Sequence, residues 1–537
     1  MACDLHMLGM QNFDGRKTEG MNQSIWLDTI SPVAYARLTE DKKTKTVVIG
    51  GGIAGVAIAC RLSLQGEKVI LVDDGNIGSG ETGRTTAHLV TALDDRYYNL
   101  QKVFGREKTK LAAESHAEAI NYVEYLSNKY NINCDFRRLP GYLFADPTDD
   151  EKSLEKELKA AQESGLDVSI IDNPPLFLYN KKQCLLFPNQ ATFHPMKFIR
   201  GLCEIIIEKG NEIYTNTHIA EFHDHYVVTS EGIKIEAEHI VIATNSPVQA
   251  DSKTYMKLIP YRSYVIGALV PKNSITDALY WDTGNFNTDP MLPPYHYVRI
   301  QKYSDDFDVL ICGGEDHRVG LIKNEEVQEE ERYSVLESWM RQYFAAGEVI
   351  YKWSGEIIET MDSLAYIGRQ PHTDANIYIV TGDSGNGMTH GIISAFIICD
   401  QIAGIENKYE SLYDPSRIHL LKSGKKWIKE FLGGFIEYKK EFEKNDASEI
   451  DAIPLNEGKV ITIGKHSYAV YKDDEGALHV LDAECTHLGC IVKWNNDEKS
   501  WDCPCHGSRF SFEGNVLNGP ANDPLPKKEI KSETVKK

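Results

Sequence analysis

Hydrophobic residues in the first half of the chain follow two different periods. Apolar, β-branched runs at residues 46–50 and 68–73 are typical of buried strands, and between them apolar positions recur at a helical period over residues 53–65. This order predicts a βαβ unit at the start of a folded domain. Similar runs at residues 239–243 and 376–380 predict two later strands.

Helical periodicity continues beyond this opening unit. Apolar positions with charged outer faces predict helices over residues 106–129 and 149–164. Pro195, directly after His194, is placed for the first turn of a further helix that runs to about residue 209. The large first domain is therefore predicted to be of the α/β class.

The last part of the chain has a different pattern. Short apolar runs at residues 459–463 and 468–471, separated by Gly and Asp turns, predict a small all-β unit. A charged helical stretch precedes it. We therefore divide the 537 residues into four parts, which are an amino-terminal extension (1–44), a large domain (45–415), a helical connector (416–450) and a small domain (451–537).

Charge narrows the range of partners. The chain has 58 Lys and Arg residues against 79 Asp and Glu residues, a net charge of −21, which argues against nucleic acid or an anionic membrane as a partner. The sequence has no apolar run of the roughly 18 to 20 residues that a membrane span requires and no apolar segment like that of a signal peptide near its start. We therefore expect a cytoplasmic protein.

A glycine-rich motif lies at the turn between the first strand and the first helix. Residues 50–55 read Gly-Gly-Gly-Ile-Ala-Gly, and an acidic residue ends the next predicted strand. In this context the glycines let backbone N–H groups approach a pyrophosphate, and the carboxylate can accept hydrogen bonds from a ribose. The alternative is a merely tight βα turn. The candidate dinucleotide-binding residues are Gly50, Gly52, Ile53, Ala54, Gly55 and Asp73.

A second group of candidate ligands lies in the small domain. Seven of the eleven cysteines are scattered, whereas four lie within residues 485–505. Cys485 and His487 form C-x-H, Cys503 and His506 form C-x-x-H, and fifteen residues separate the two motifs. Two thiolates and two imidazoles are the ligands of a Rieske-type [2Fe–2S] cluster. Zinc uses the same ligand types and is the alternative.

The residues around these ligands resemble Rieske ferredoxins, over residues 485–490, 503–508 and 519–521. The resemblance implies that Cys490 and Cys505 form a disulfide that braces the two ligand loops. It also implies that the Ser508 hydroxyl donates a hydrogen bond to a bridging sulfide. Phe510 stands where the most oxidising members of the family have Tyr, so we expect a lower reduction potential than theirs.

The large domain resembles the D-amino-acid-oxidase-like family of FAD-dependent oxidoreductases. The similarity is carried by residues 78–87, 194–201, 239–245 and 382–388. It implies a Rossmann-like α/β FAD-binding domain with an antiparallel-sheet substrate subdomain, followed by the small all-β Rieske domain. The further FAD-binding residues that it implies are Thr82, Arg84, Thr85, Thr86, Ala243, Gly385, Asn386, Gly387 and Met388. For residues 82–86 a polar, Thr-rich turn is the alternative.

In the region expected to bind the substrate, the sequence differs from those of the amino-acid oxidases of this family. They usually hold the substrate carboxylate with an Arg in a stretch that matches residues 353–362, where this chain has no Arg. The pattern resembles the branch that oxidises polyamine-like or N-alkyl amines. Glu356 and Asp362 either attract a cationic amine or are surface carboxylates, and Arg262 and Tyr264 are candidates for lining the pocket. We interpret four other residues as structural rather than catalytic, namely His88, His194, His296 and His390.

The two parts together resemble bacterial FAD-dependent oxidoreductases fused to a carboxy-terminal Rieske domain. The sequence has no second dinucleotide motif for NAD(P)H. We expect a flavoprotein dehydrogenase in which an amine-type substrate reduces FAD and the cluster passes the electrons to an external acceptor, which can be a protein. The alternatives are a redox-sensing or electron-transfer protein without substrate turnover, and electron flow from the cluster to the flavin.

Overall fold

The computed structural model describes residues 22–30, 34–150, 152–172, 174–175, 183–248, 252–287, 294–319, 329–418 and 450–529. The predicted connector (416–450) therefore lies almost wholly outside the described residues. The helices are α1 (Ile25–Asp28), α2 (Ile53–Leu64), α3 (Tyr97–Phe104), α4 (Arg106–Lys129), α5 (Ser153–Glu163), α6 (Pro195–Glu208), α7 (Ser252–Tyr255), α8 (Glu329–Tyr343), α9 (Gly387–Ala403) and α10 (Glu410–Tyr413).

The strands form four sheets. In chain order they are β1 (Lys42–Ile49), β2 (Val69–Val72), β3 (His88–Leu89), β4 (Arg137–Phe144), β5 (Ser169–Ile171), β6 (Cys184–Thr192), β7 (Glu212–Tyr214), β8 (Ile219–His223), β9 (Tyr226–Thr229), β10 (Lys234–Ile242), β11 (Leu258–Pro271), β12 (Leu279–Asp282), β13 (Tyr297–Lys302), β14 (Phe307–Arg318), β15 (Val349–Thr360), β16 (Tyr366–Arg369), β17 (Ile377–Thr381), β18 (Glu457–Ile463), β19 (His466–Lys472), β20 (Leu478–Asp482), β21 (Lys493–Asn495), β22 (Ser500–Asp502), β23 (Arg509–Ser511) and β24 (Val516–Asn518).

The first sheet is mainly parallel and has the order β16-β17-β10-β1-β2-β7, with the β8–β9 hairpin attached to β10. β1, α2 and β2 form the predicted βαβ unit, with Thr46 paired to Val69 and Ile49 to Val72. β1 begins earlier than its apolar run because Lys42 and Lys43 pair with β10. Helices α2 and α9 pack on one face of this sheet, and the other face packs against apolar residues that include Ile219 and Val227 of the β8–β9 hairpin, so the central strands are apolar on both faces.

The second sheet has the order β15-β11-β14-β13-β12-β4-β6-β3, and β5 pairs with β6. Its pairs are antiparallel except for β12 with β4. α8 packs on one face through Leu336 and Met340, in a core that includes Tyr264. The long strands β11 and β15 run side by side from Leu258 to Ala268 and extend toward the first sheet.

The predicted fold class is confirmed, including the small antiparallel unit. This unit consists of a three-stranded sheet (β18–β20) and a four-stranded sheet (β21–β24) around a core that contains Trp501 and Phe510. Part of the amino-terminal extension packs on the large domain. Trp26 is fully buried, and its indole N–H donates to the Thr85 carbonyl oxygen at 2.6 Å. Among the described residues no helix is both long enough and apolar enough to span a membrane.

Candidate active site and cluster site

The glycine-rich turn between β1 and α2 is shaped by close backbone approaches. Gly50 has a φ of +108°, and a Cβ added there would lie 2.4 Å from the Ala243 carbonyl oxygen. A Cβ on Gly55 would lie 1.9 Å from the Gly50 carbonyl oxygen. Side chains are therefore excluded at both positions. The Asp73 carboxylate at the end of β2 accepts a hydrogen bond from the Gly51 N–H at 2.6 Å, which fixes the turn to the next strand.

One cavity runs from this turn to the start of α9. It is lined by all of the residues predicted to bind FAD except Gly55, whose place is against the backbone of Gly50. The lining residues of that set are Gly50, Gly52, Ile53, Ala54, Asp73, Thr82, Arg84, Thr85, Thr86, Ala243, Gly385, Asn386, Gly387 and Met388.

The polar atoms of the cavity fit a bound dinucleotide. The Thr82 hydroxyl accepts from the Ile53 N–H at 2.9 Å, which ties residues 82–86 to the start of α2. Asn386 Oδ1 and His390 Nε2 are buried in the cavity wall without a hydrogen-bond partner among the described residues. A Cβ on Gly385 would lie 2.0 Å from Asp94 Oδ2, so only glycine fits there. A ligand in this cavity would therefore contact polar atoms that lack a hydrogen-bond partner and a glycine backbone without side chains.

Arg84 is one of the residues predicted to bind FAD, and its guanidinium has a protein partner. It lines the cavity, but its guanidinium is turned toward the small domain and pairs with the Glu498 carboxylate, and both side chains are buried. Its Nε also donates to the Ser354 carbonyl oxygen at 2.6 Å. The charge of Arg84 is thus neutralised by a carboxylate of the small domain.

In the part of the cavity expected to bind the substrate, the structure differs from two expectations. Ser263 and Val265 line the cavity, whereas Arg262 and Tyr264 are absent from its wall, because successive residues of β11 point to opposite faces. Glu356 and Asp362 are not surface carboxylates, since they are 3% and 2% exposed. Asp362 forms an ion pair with Arg417 at 2.8 Å, so it is not available to a substrate.

Glu356 lines the cavity and contacts the small domain. Its Oε1 accepts from the Asn518 side-chain amide at 3.1 Å, and a Cβ on Gly507 would lie 2.7 Å from the same oxygen. Burial raises the pKa of Glu356 well above its usual value, although the nearby Arg262 guanidinium acts in the opposite direction. Burial therefore disfavours the charged form of this carboxyl group.

The four histidines have different environments. His194 caps α6 by accepting from the Lys197 N–H, and His296 forms ion pairs with Asp282 at 2.8 Å and Glu315 at 3.1 Å. His88 and His390 line the cavity. Burial lowers the pKa of His88 to about 3 and that of His390 to about 4, so both imidazoles are neutral near pH 7.

Sequence reasoning missed a group of carboxylates beside the cavity. This acidic cluster consists of Asp94, Asp95, Asp316, Glu359 and Asp383, and Asp94 and Asp383 line the cavity itself. Burial raises the pKa of Asp94 to about 6 and that of Asp95, Asp316 and Asp383 to about 7. Burial and the neighbouring carboxylates raise the pKa of Glu359 well above its usual value.

Aromatic side chains form the wall next to the acidic cluster. Trp281, Tyr295 and Tyr297 line the cavity, and the Tyr297 hydroxyl lies 2.5 Å from the Ser263 hydroxyl. Aromatic faces and carboxylates both favour a cation. The residues come from distant parts of the chain, and no local motif marks them.

The predicted cluster ligands converge at one end of the small domain. Cys485 and Cys503 are buried free thiols, and the rings of His487 and His506 lie 4.9 Å apart between centroids. The Nδ1 atoms of both histidines are buried without a hydrogen-bond partner among the described residues. Orphaned imidazole nitrogens beside two free thiols fit a metal cluster held by these four side chains.

The bracing disulfide implied by the Rieske resemblance is present. Cys490 and Cys505 form a disulfide with a Cα–Cα distance of 6.5 Å. Their sulfur atoms lie within 4.8 Å of that of Cys503, but because they are bonded to each other only Cys503 of the three offers a thiolate. Ser508 is fully buried, and its Oγ accepts from the Ala521 N–H at 3.0 Å, which leaves the hydroxyl proton for another acceptor.

The small domain is fastened to the large one by buried charges. Besides the pair of Arg84 with Glu498, Arg262 donates to Asp502 Oδ2 at 3.0 Å. Burial acts to raise the pKa of Asp502, but Arg509 and Arg262 outweigh burial and lower it to about 2. These pairs set one position of the small domain against the large one.

The predicted cluster ligands and the cavity with the predicted FAD-binding residues both lie at this domain boundary. The ring of Tyr255, from the large domain, stands edge-on to His487 at 4.6 Å and to His506 at 5.7 Å between centroids. Residues of the small domain also form part of the wall of the cavity that contains the predicted FAD-binding residues. We call residues 516–522 the wall segment; its residues that line the cavity are Val516, Leu517, Asn518, Gly519, Ala521 and Asn522.

Comparison with known proteins agrees with this geometry. The family model for FAD-dependent oxidoreductases matches residues 45–401, and the model for the Rieske [2Fe–2S] domain matches residues 444–529. The chain belongs to the FAD-dependent oxidoreductase family and carries a Rieske domain, and its cofactors are FAD and a [2Fe–2S] cluster.

Relatives place the whole chain in the same class. A Bacillus subtilis (strain 168) protein, YhfW, named as a Rieske 2Fe-2S iron-sulfur protein, is 30% identical over 94% of this chain and 97% of its own length. The gamma-glutamylputrescine oxidoreductase of Escherichia coli (strain K12) is 21% identical over 71% of this chain and 89% of its own. Glycine oxidase from Geobacillus kaustophilus shares the fold, with a TM-score of 0.57 and 17% identity over 70% of this chain and 99% of its own.

Proposed function

We propose that this oxidoreductase oxidises a cationic amine at FAD and that the electrons leave through the [2Fe–2S] cluster to an external acceptor. The observation that carries the proposal is the acidic cluster. Asp94 and Asp383 line the FAD cavity, and Asp94 contacts Gly385 of the loop predicted to face the flavin ring. Buried carboxylates of raised pKa are stabilised by a cation, and an ammonium group is the cation that an amine substrate supplies.

The chain also lacks what an amino-acid substrate would need at the expected position. β15 contains no Arg, and the arginine of the neighbouring strand, Arg262, is paired with Asp502 away from the cavity wall. An α-carboxylate would therefore lie next to like charges without a guanidinium partner. The Escherichia coli relative, whose name gives a putrescine derivative as substrate, supports an amine.

In this scheme the residues of the cavity orient the substrate and accept a proton from it. When bound, FAD accepts a hydride from the carbon next to the amine nitrogen, and the cluster carries electrons singly. Asp94 and Asp383 orient the substrate ammonium group, and deprotonation to the reactive amine leaves a proton that a carboxylate with a pKa of about 6 to 7 can accept. The aromatic wall excludes water.

The first test is flavin reduction by a panel of substrates without oxygen. We expect simple and N-alkyl amines to bleach the flavin absorbance faster than glycine or D-alanine. Asp94→Asn should raise the amine KM roughly 10- to 100-fold, since a charged hydrogen bond contributes about 1.5–3 kcal/mol. Asp305→Asn, an exposed carboxylate of a turn, is the matched control. Faster bleaching by an amino acid would contradict the substrate assignment.

The second test asks whether the cluster is on the electron path. Cys485→Ser removes one ligand and, if FAD is retained, should leave bleaching by substrate unchanged while turnover with a one-electron protein acceptor falls. Equal turnover in variant and parent would show that the small domain only docks or stabilises. If no amine bleaches the flavin but a reduced acceptor does, electrons flow from the cluster to the flavin. If neither does, a sensing role without turnover is favoured.

A further inference from the structure

The wall segment (residues 516–522) belongs to the cluster-carrying domain but lines the FAD cavity. Asn522 donates through Nδ2 to the carbonyl oxygens of Ala220 at 3.0 Å and Ile219 at 3.3 Å. Ile219 lines the cavity next to Thr217, whose N–H donates to the Asp73 carbonyl oxygen at 2.9 Å. Asn522 thus fastens the segment at the Asp73 end.

The other end of the segment is fastened near the Thr82–Thr86 turn. Asn518, 5% exposed, donates to Glu356 at 3.1 Å. The Glu356 N–H in turn donates to Glu81 Oε2 at 2.7 Å, just before that turn. Between the two ends, a Cβ on Gly519 would lie 3.1 Å from Val248, which also lines the cavity. The segment therefore follows the length of the cavity with close contact in the middle.

From this arrangement we infer that the Rieske domain is part of the FAD-binding site, and that the wall segment clamps the dinucleotide against the large domain through Asn518 and Asn522. The inference goes beyond the proposed function, because it concerns retention of FAD and is independent of the substrate and of the direction of electron flow. The buried pairs Arg84–Glu498 and Arg262–Asp502 hold the clamp closed.

The clamp also has a link to the cluster loop. The Ala521 N–H donates to Ser508 Oγ at 3.0 Å, and Ser508 follows the ligand His506 by two residues. Displacement of the wall segment therefore removes a partner from the loop that holds the cluster. Because coupling between two bound groups is reciprocal, FAD should also order the segment.

The test measures FAD release from the full-length protein carrying both cofactors, by the rise in flavin fluorescence after dilution. Asn518→Ala and Asn522→Ala should each speed release about 3- to 10-fold, the effect of one or two lost hydrogen bonds, and the double variant should exceed both. Asn515→Ala is the matched control, since Asn515 is exposed in the preceding turn and does not line the cavity. The cluster EPR signal reports that the small domain is folded.

Release from the double variant within twofold of the parent, with the EPR signal retained, would overturn the inference. If the variants lose the EPR signal, the inference is tested instead by comparing hydrogen exchange of the unmutated protein with and without FAD. The amides of residues 516–522 should exchange more slowly with FAD, while β19 in the same domain (His466–Lys472) should not change. Equal exchange of the wall segment in both states would refute the clamp. A failed amine panel has no bearing on either result.

Discussion

Asp502 is the most informative single position for the contact between the two domains. It is buried, and it accepts hydrogen bonds from Arg262 at 3.0 Å, Arg509 at 3.2 Å, Asn495 at 3.0 Å and the Ser500 hydroxyl at 2.7 Å. Arg262 belongs to the large domain and Arg509 to the small one. One carboxylate therefore neutralises a buried guanidinium from each side of the boundary.

Removal of the Asp502 charge and removal of the Arg262 charge should lower the free energy of unfolding by different amounts. Asp502→Asn removes the carboxylate to which both buried guanidinium groups donate hydrogen bonds and should lower the free energy of unfolding by about 3–5 kcal/mol. Arg262→Met removes one charge together with its desolvation cost and leaves Asp502 paired with Arg509, so we expect a loss of about 1–3 kcal/mol. The double variant should lose less than the sum, with a coupling of about 1–2 kcal/mol.

The sign of the pH dependence follows from the pKa of Asp502, which is about 2 in the folded protein. An unfolded Asp has a pKa of about 3.9, so the stabilisation is complete above that value and is lost as the pH falls toward 2. Its size is roughly 2–3 kcal/mol. In the Asp502→Asn variant, the free energy of unfolding should therefore change less with pH over this acidic range.

Urea unfolding measures these differences, with flavin fluorescence and visible circular dichroism of the cluster as separate probes of the two domains. Both probes are required because a chain with two domains and two cofactors need not unfold in one step. The charge argument fails if Asp502→Asn and Arg262→Met cost the same, or if their effects add without coupling.

Three further predictions concern the sites themselves. Gly385→Ala should abolish FAD binding, because the new Cβ would lie 2.0 Å from Asp94 Oδ2 at a φ of +72°; FAD content after purification checks this. Amine KM should fall as the pH rises from about 6 to 8, since the acidic cluster becomes charged over that range, and a pH-independent inhibition constant for a quaternary amine inhibitor of fixed charge would contradict it. His487→Cys should lower the reduction potential of the cluster through added negative charge, and an unchanged midpoint in redox titration would exclude His487 as a ligand.

The elements and motifs that the sequence predicted well are those with local causes. The βαβ opening follows from hydrophobic period and glycine geometry, and Pro195 begins α6 as expected for the first turn of a helix. The glycine-rich turn predicts a dinucleotide and the C-x-H and C-x-x-H loops predict the cluster, whereas the choice of FAD came from the family resemblance. These signals lie within a few residues of one another, so no knowledge of tertiary contacts is required.

The parts that could not be predicted depend on contacts between distant residues. Alternation along β11 does not reveal which face meets the cavity, and the candidates Arg262 and Tyr264 lie on the face that does not line it. The acidic cluster brings together Asp94 and Glu359, which are far apart in the sequence. The pairing of Arg84 with Glu498 could not be predicted either, because the two residues are 414 positions apart.

The wall segment also has a consequence for the order in which the protein matures. Domains generally fold as they leave the ribosome, the amino-terminal one first. When the large domain has emerged, its flavin cavity still lacks the side that residues 516–522 provide near the end of the chain. If the wall segment clamps FAD as inferred, full retention of FAD awaits translation of residues 516–522 and folding of the small domain. A chain that terminates early would accumulate as a flavin-poor protein even though its βαβ unit and glycine-rich turn are intact.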